Sequence, residues 1–336
     1  MTTAEEFLEI QIQIQTEPPY VEACRRLMRQ VARVLRQQHE ANHPFFLGTQ
    51  LRVPKKGTPS HDDLLVIGQE RQRCQPALMR LRQVGAHAAE LAIANMLDHV
   101  NALRRTIDME EDRLPLFSHN SVVRVVAEAA ATACRWYDPS ADTVTRLLRA
   151  AVGHRYDAEQ DKKGCDALPA NLPYVAQAQQ AANERLDDAL KLISEAGITE
   201  GLGRDQKTVA HLIWRDGRKV PTKIEWSSEV ARLFPDLPNV YQIGSGAIHS
   251  VPWHLSEVLI PSATAVSGLR ASPNPLSVGG AVDTALTACG KVIERFGTFY
   301  GLDVDDLLQK TELRRRTVSV YMQEYIHEVD RAVVQD

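Results

Sequence analysis

Hydrophobic side chains recur at helical spacing along most of the chain, in segments separated by loops that contain proline and glycine. Apolar positions three and four residues apart predict amphipathic helices, each with one face towards a core. We predict helices over residues 21–39, 62–112 with a break at Pro76, 118–137, 142–155, 175–193, 208–214, 225–234, 278–299 and 304–333. An alternating run at residues 6–15 predicts one strand, and no other pattern requires a sheet. The expected fold class is therefore all-α, a multi-helix bundle.

The segment at residues 118–137 is the most apolar of these, with valine or alanine at most positions. A helix that is apolar all round is usually buried on all sides. Arg124, Glu128 and Arg135 interrupt this segment, and steps of four and seven residues place them on one stripe, within about 40° of each other. Buried charge requires a partner. We therefore expect a buried, hydrogen-bonded Arg124–Glu128 pair within a polar site.

Pro115 separates this central segment from the helices that precede it. We predict an N-terminal helical layer at residues 1–115 and a helical core that carries the site at residues 116–336. The first helix has a basic outer face, formed by Arg25, Arg26, Arg29, Arg33 and Arg36. Such a face is usually solvated, and the alternative is a surface that binds RNA or a protein partner.

Net charge and cysteine content indicate which partners and which cellular compartment to expect. The 336-residue chain has a net charge of −4, which gives no general attraction to nucleic acid. Its five cysteines are scattered without a Cys-x-x-Cys pair, which indicates reduced thiols. The acidic N-terminus does not have the pattern of a signal peptide, and no uninterrupted apolar run reaches the ~18 residues of a membrane span. We expect a cytoplasmic protein with no membrane segment.

The sequence His39-Glu40-Ala41-Asn42-His43 fits the H-E-x-x-H pattern of zinc proteases. In that pattern two histidines on one helical turn bind the metal and the glutamate activates a water molecule. Pro44 follows directly, and it is expected to push His43 out of helical geometry. We therefore expect no metal at these residues, and no cofactor elsewhere.

A second group of chemically active side chains is Tyr241, Ser245 and His249, which share one face if this segment is helical. Gly244 and Gly246 leave room for a close helix crossing. Histidine titrates near neutral pH, so His249 beside the Arg124–Glu128 pair is a candidate for acid–base catalysis. The alternative is a core histidine whose nitrogen atoms are satisfied by the tyrosine or serine.

These residues carry a family resemblance. The R-x-x-x-E helix that ends in Trp136, the Asp-Pro turn after it and the later Y-x-x-x-S-x-x-x-H segment resemble uncharacterised bacterial helical proteins of the HEPN type, over about residues 116–255. The resemblance implies a helical bundle with an HEPN-like core, often dimeric. It also implies, as in many HEPN proteins, a metal-independent ribonuclease of a toxin or phage-defence system that uses an R-x(4–6)-H motif.

Two segments of the chain, residues 244–249 and residues 149–154, are candidates for that motif. Gly244 stands where an R-x4-H motif ending at His249 requires arginine. A literal match occurs at Arg149 and His154, with Ala150 in place of the polar residue that usually follows the arginine. Arg149 and His154 are therefore the alternative catalytic residues.

The C-terminal segment gives the last motif. Residues 306–326 weakly resemble a helix-turn-helix in which Arg314, Arg315, Arg316 and Thr317 open a recognition helix. Glu312 stands at the expected turn glycine, so a plain C-terminal helix that packs in a homodimer is favoured.

Three functional hypotheses follow from these motifs. The leading one is an HEPN-like protein that binds or cleaves RNA in a pocket formed by Arg124, Glu128, Tyr241, Ser245 and His249. The second is a catalytically inactive scaffold that binds a protein partner. The third is a DNA-binding regulator that uses the C-terminal helices.

Overall fold

The computed structural model describes residues 13–14, 20–47, 53–108, 114–235, 237, 240–250, 256–261 and 269–335. It is 73% helical, which confirms the all-α multi-helix fold class. The ten helices of the described residues are α1 Val21–Leu47, α2 Pro59–Gln69, α3 Gln75–Ile107, α4 Ser118–Trp136, α5 Thr143–Asp166, α6 Val175–Glu195, α7 Trp226–Leu233, α8 Val240–Ile248, α9 Pro275–Tyr300 and α10 Asp305–Gln335.

Helix α4 lies at the centre of the larger hydrophobic core and packs against α3, α7, α8 and α9. Its valines and alanines are mostly buried, as its apolar sequence predicts. Its C-terminal end abuts an aromatic cluster in which Tyr137 contacts Phe296 and Phe299, with ring centroids 5.1 and 5.3 Å away. Helices α1 and α10 complete this core. The polar side chains of α4 are therefore held on a rigid, packed helix.

A smaller core lies where α2 and the start of α3 meet α5 and α6. At its edge, Arg146 of α5 forms an ion pair with Asp63 of α2, Nη2 to Oδ1 at 2.6 Å, and both side chains are fully buried. Asp142 caps α5 by accepting a hydrogen bond from the Thr145 amide at 2.8 Å. This second core fixes the position of α5 beside α4.

The residues that the structure describes form two small sheets, so the expectation that no sheet is required was wrong. The strands are β1 Gln13–Ile14, β2 Thr199–Leu202, β3 Val209–Ile213, β4 Lys219–Pro221, β5 Leu259–Pro261 and β6 Leu269–Ala271. One sheet has the order β1-β6-β5, with β1 parallel and β5 antiparallel to β6. Of the run predicted as a strand at residues 6–15, Gln13 and Ile14 form β1, and the other residues lie outside the described part of the chain.

The second sheet is antiparallel with the order β2-β3-β4. Its central strand β3 covers the region predicted as a helix at 208–214, and that prediction was wrong. A short apolar run does not distinguish a strand from a helix by periodicity alone. Gln206 (φ 54°) and Gly217 (φ 90°) adopt left-handed backbone conformations in the turns on either side of β3. These turns fold the segment into hairpins instead.

The structure also corrects the expected effect of Pro44, because α1 continues through this proline to Leu47. Pro44 lies in the last turn, where it removes one helical hydrogen bond to the Glu40 carbonyl, and the buried Phe46 anchors the end of the helix. His39 and His43 consequently face the same side, with ring centroids 5.7 Å apart. Within the described residues, no group of three or more potential ligands is arranged to hold a metal ion.

The C-terminal residues 306–326 lie inside the single uninterrupted helix α10, so the helix-turn-helix interpretation was wrong. Glu312, at the position of the expected turn, pairs with Arg316 one helical turn later at 3.0 Å. Among the described residues, α9 is the one helix long and apolar enough to cross a membrane. Of its most apolar stretch, 61% is buried inside the protein, as in an ordinary core helix.

Candidate functional site

Arg124, Glu128 and Tyr241 meet where α8 crosses α4. Arg124 donates from Nε to Glu128 Oε1 at 2.7 Å and from Nη2 to the Tyr241 hydroxyl at 3.1 Å. The guanidinium carbon also lies 4.5 Å from the centre of the tyrosine ring. The Arg124 side chain is 14% exposed and that of Glu128 is 32% exposed. The expected pair is therefore formed, but it is part-buried rather than fully buried.

Gly244 allows this close crossing. A Cβ atom at Gly244 would lie 2.5 Å from Arg124 Cβ and 2.9 Å from the Asn120 carbonyl oxygen, which is too close for any other residue without a shift of the helices. The same residue that departs from the R-x4-H motif therefore has a packing role.

No described contact joins His249 to the Arg124–Glu128 pair. His249 follows α8 and is about 12 Å farther along its axis than Tyr241. It is exposed, so it is not a core histidine either, and Ser245 is half-buried in the turn before it. The described contacts unite Arg124, Glu128 and Tyr241 without His249.

Arg149 and His154, the alternative pair, line one cavity of about 100 Å³ between α3, α4 and α5. We call it the α4–α5 cavity. Arg135 of α4 also lines it, and so do the indoles of Trp136 and Trp226. Its α5 wall includes Gly153, where a Cβ atom would meet nothing within 4 Å. The cavity thus has open space beside two guanidinium groups and an imidazole.

The two arginines differ in how they are held. Arg149 donates from Nη1 to Asp138 Oδ2 at 3.0 Å and to the Arg135 carbonyl oxygen at 3.1 Å. Among the described residues, the Arg135 guanidinium makes no hydrogen bond or ion pair. Burial lowers the pKa of Arg135 to about 10, so it remains protonated at neutral pH. Arg135 is therefore a partly desolvated cation at the wall of the cavity, without a bound carboxylate.

His154 and Asp157, one turn apart on α5, both line the cavity. Burial lowers the pKa of His154, which favours its neutral form at pH 7. Burial raises the pKa of Asp157, which favours its protonated form more than in water. The two residues also border a wider depression of about 410 Å³, which is lined as well by Arg80, Arg185, Asp161 and Asp188. The α4–α5 cavity and this depression therefore share a proton acceptor, His154, and an acid with a raised pKa, Asp157.

Asp138, which the sequence marked only as part of a turn, organises the arginines behind the cavity. It is buried, and its carboxylate accepts hydrogen bonds from Arg149 at 3.0 Å and from Arg232 at 3.3 Å. Arg295 lies 3.9 Å away. Burial alone would raise its pKa, but hydrogen bonds from Ser140 and Arg149 outweigh burial and lower the pKa to about 2. Asp138 is therefore a permanent anion that positions Arg149.

No protein-family model matches this chain, and neither does any curated protein or solved structure. A functional assignment therefore depends on the chemistry of these two sites.

Proposed function

We propose that this protein binds single-stranded RNA at the α4–α5 cavity and cleaves it without a metal ion. The observation that carries the proposal is that Arg135, Arg149 and His154 line one cavity. This favours the alternative R-x4-H pair over the pocket built on His249. The HEPN resemblance adds to the proposal a homodimer and a toxin or phage-defence setting, and the scattered cysteines add a cytoplasmic location.

The size and charge of the cavity fit one phosphodiester group. The cavity has a volume of about 100 Å³, well above the ~10–15 Å³ that one water molecule requires. A flexible single strand can present one phosphate to such a space, whereas a rigid duplex cannot enter it. Guanidinium groups bind phosphate oxygens through paired hydrogen bonds. Arg135 can do so without first giving up a carboxylate, unlike Arg124, which is bound to Glu128.

The proposed reaction uses His154 as the general base. Neutral His154 takes the proton of a ribose 2′-hydroxyl, whose oxygen forms a bond to the adjacent phosphorus. The bond from phosphorus to the 5′-oxygen breaks, that oxygen takes a proton from water, and His154 then releases its proton to solvent. Arg135 and Arg149 stabilise the additional negative charge on the phosphoryl oxygens in the transition state. The products are a 2′,3′-cyclic phosphate and a 5′-hydroxyl.

The test is cleavage of a single-stranded RNA in the presence of a chelator. We expect wild-type protein to release 2′,3′-cyclic phosphate ends, His154→Ala to lose this activity, and His249→Ala to retain it. His249→Ala is the matched control because His249 is an exposed histidine outside the cavity. Loss of cleavage in His249→Ala with full activity in His154→Ala would contradict the proposal.

One observation favours a second function, a catalytically inactive scaffold that binds a protein partner or a second copy. Helix α10 exposes Leu313 (65%) and Val320 (49%), which lie two turns apart on one face. Exposed apolar residues in such a row are suited to a partner helix. Absence of both RNA binding and cleavage, with dimerisation lost in Leu313→Ser, would favour this function.

A further inference from the structure

Helices α1 and α10 pack side by side in opposite directions, and a groove runs between them. At one end Gln38 of α1 donates to Thr311 of α10 at 3.0 Å, and at the other end Arg26 pairs with Glu328. The space between the helices is about 530 Å³. We call it the α1–α10 groove. It is about five times larger than the α4–α5 cavity and opens to solvent along its length.

A row of arginines follows the α1 side of this groove. Arg26, Arg29, Arg33 and Arg36 are separated by three, four and three residues, so they share one face over about 15 Å of helix. Arg26 is paired with Glu328. The other three are exposed, and in the described part of the chain they form no hydrogen bond or ion pair. Arg33 lines the groove, and Arg29 and Arg36 flank it on the outer side.

Arg314 faces this row from α10. It lines the groove and donates from Nη1 to Gln38 Oε1 at 2.9 Å. Burial lowers the pKa of Arg314, and among the described residues no carboxylate pairs with it. Its neighbours differ, since Arg315 bonds Asp283 and Arg316 bonds Glu312, both at 3.0 Å. Arg314 is therefore a partly desolvated cation held only by a neutral amide.

We propose that the α1–α10 groove is a second binding surface for single-stranded RNA, which holds the strand outside the cleavage cavity. Arg33 and Arg314 would contact phosphates from both walls, with Arg29 and Arg36 on the path of the backbone. Tyr321, which also lines the groove, offers a ring on which a base can stack. This inference rests on the proposed function in one respect, because that function is the reason for taking RNA as the ligand.

Charge and shape favour a nucleic acid strand over other anions. The whole chain has a net charge of −4, so the cationic row is a local feature. Glu40 is the acidic side chain that lines the groove. A flat anionic membrane would contact the outer arginines but would not reach the recessed Arg314. A groove with cations on both walls and an aromatic ring instead suits a thin, flexible strand.

The test is binding of a fluorescent RNA of about 12 nucleotides, a length within the range that single-strand grooves cover. Its riboses carry 2′-O-methyl groups, so cleavage cannot obscure binding. Anisotropy is measured at several salt concentrations for wild type, for Arg314→Gln and for the triple variant Arg29→Gln, Arg33→Gln, Arg36→Gln. The control triple variant, Arg71→Gln, Arg73→Gln, Arg204→Gln, removes three exposed arginines that lie outside α1 and α10.

We expect the α1 triple variant to reduce the slope of log affinity against log salt by about 2, since each phosphate contact on a single strand contributes ~0.7. At 0.1 M salt this corresponds to an affinity about a hundredfold weaker. Arg314→Gln should weaken binding as well, and the control should match wild type. Equal binding by the α1 triple variant and the control would overturn the inference.

Three further outcomes distinguish this inference from a membrane-binding surface and from the proposed function. Binding to phosphatidylserine vesicles that depends on Arg29, Arg33 and Arg36, without RNA binding, would assign the row to a membrane surface and overturn the inference. Groove-dependent RNA binding without any His154-dependent cleavage of unmodified RNA would support the groove and contradict the proposed function. Cleavage that depends on His154, with RNA affinity unaffected by the α1 substitutions, would support the proposed function and overturn the inference about the groove.

Discussion

Among the ion pairs of the described residues, the buried pair between Asp63 and Arg146 should be the most costly to break. Asp63 is 1% exposed and Arg146 is 2% exposed, so water cannot replace a lost partner. In Asp63→Asn, the Arg146 Nη2 and Nε groups lose a carboxylate at 2.6 and 3.1 Å, although carbonyl oxygens such as that of Ala141 remain. Stranding a buried charge costs about 3–5 kcal/mol. That is a large fraction of the ~5–15 kcal/mol that stabilises a typical folded domain.

The matched comparison is Glu128→Gln. Arg124 and Glu128 form an equally short pair, but the exposed fractions of 14% and 32% let water solvate the remaining arginine. We expect Glu128→Gln to cost about 1 kcal/mol. Urea unfolding followed by circular dichroism measures both variants. A double variant with Asp63→Leu and Arg146→Met should recover much of the loss, because no charge is left buried. Equal destabilisation by Asp63→Asn and Glu128→Gln would refute this reasoning.

Three further predictions concern the packing at Gly85, the charge of Asp138 and the exposure of the cysteines. Gly85→Ala should destabilise the protein by about 1–3 kcal/mol, because the added Cβ would lie 2.5 Å from Trp136 Cε3 and 2.9 Å from Ala150 Cβ. An unchanged urea midpoint would contradict this packing. Asp138, with its pKa lowered to about 2, should contribute about 2 kcal/mol of stability above pH 4, which is lost as the pH falls from 4 through 2. This acid dependence should be reduced in Asp138→Asn, and an unchanged pH profile in that variant would contradict it. Cys165 is half-exposed and the other four cysteines are buried. A thiol reagent should therefore label one cysteine rapidly in the native protein, and Cys165→Ser should abolish this rapid labelling.

The helices that depend on local pattern were predictable from the sequence. The predicted segment at 118–137 corresponds to α4, Ser118–Trp136, and the two closing segments correspond to α9 and α10. Their apolar positions repeat every three to four residues, and this periodicity is a property of the chain itself. The close crossing at Gly244 was also foreseen, because a residue without a side chain permits it.

The parts that sequence analysis missed depend on contacts between distant residues. Asp63 and Arg146 are 83 residues apart, and Asp138 and Arg232 are 94 residues apart. Nothing in the local pattern distinguishes these residues from solvated charges. His249 was placed in phase with Tyr241, but no described contact joins it to the Arg124–Glu128 pair, and periodicity does not specify how two helices cross.

The central claim is that the α4–α5 cavity is where RNA binds and is cleaved, and filling the cavity tests it most directly. Gly153→Leu extends a side chain into open space at the cavity wall without removing any charged or polar group. Gly164→Leu is the matched control, since Gly164 lies on the same helix and its Cβ position is equally open. The measurement is the rate of single-stranded RNA cleavage in the presence of a chelator. We predict loss of cleavage in Gly153→Leu and a wild-type rate in Gly164→Leu, whereas wild-type cleavage by a folded Gly153→Leu protein would contradict the claim.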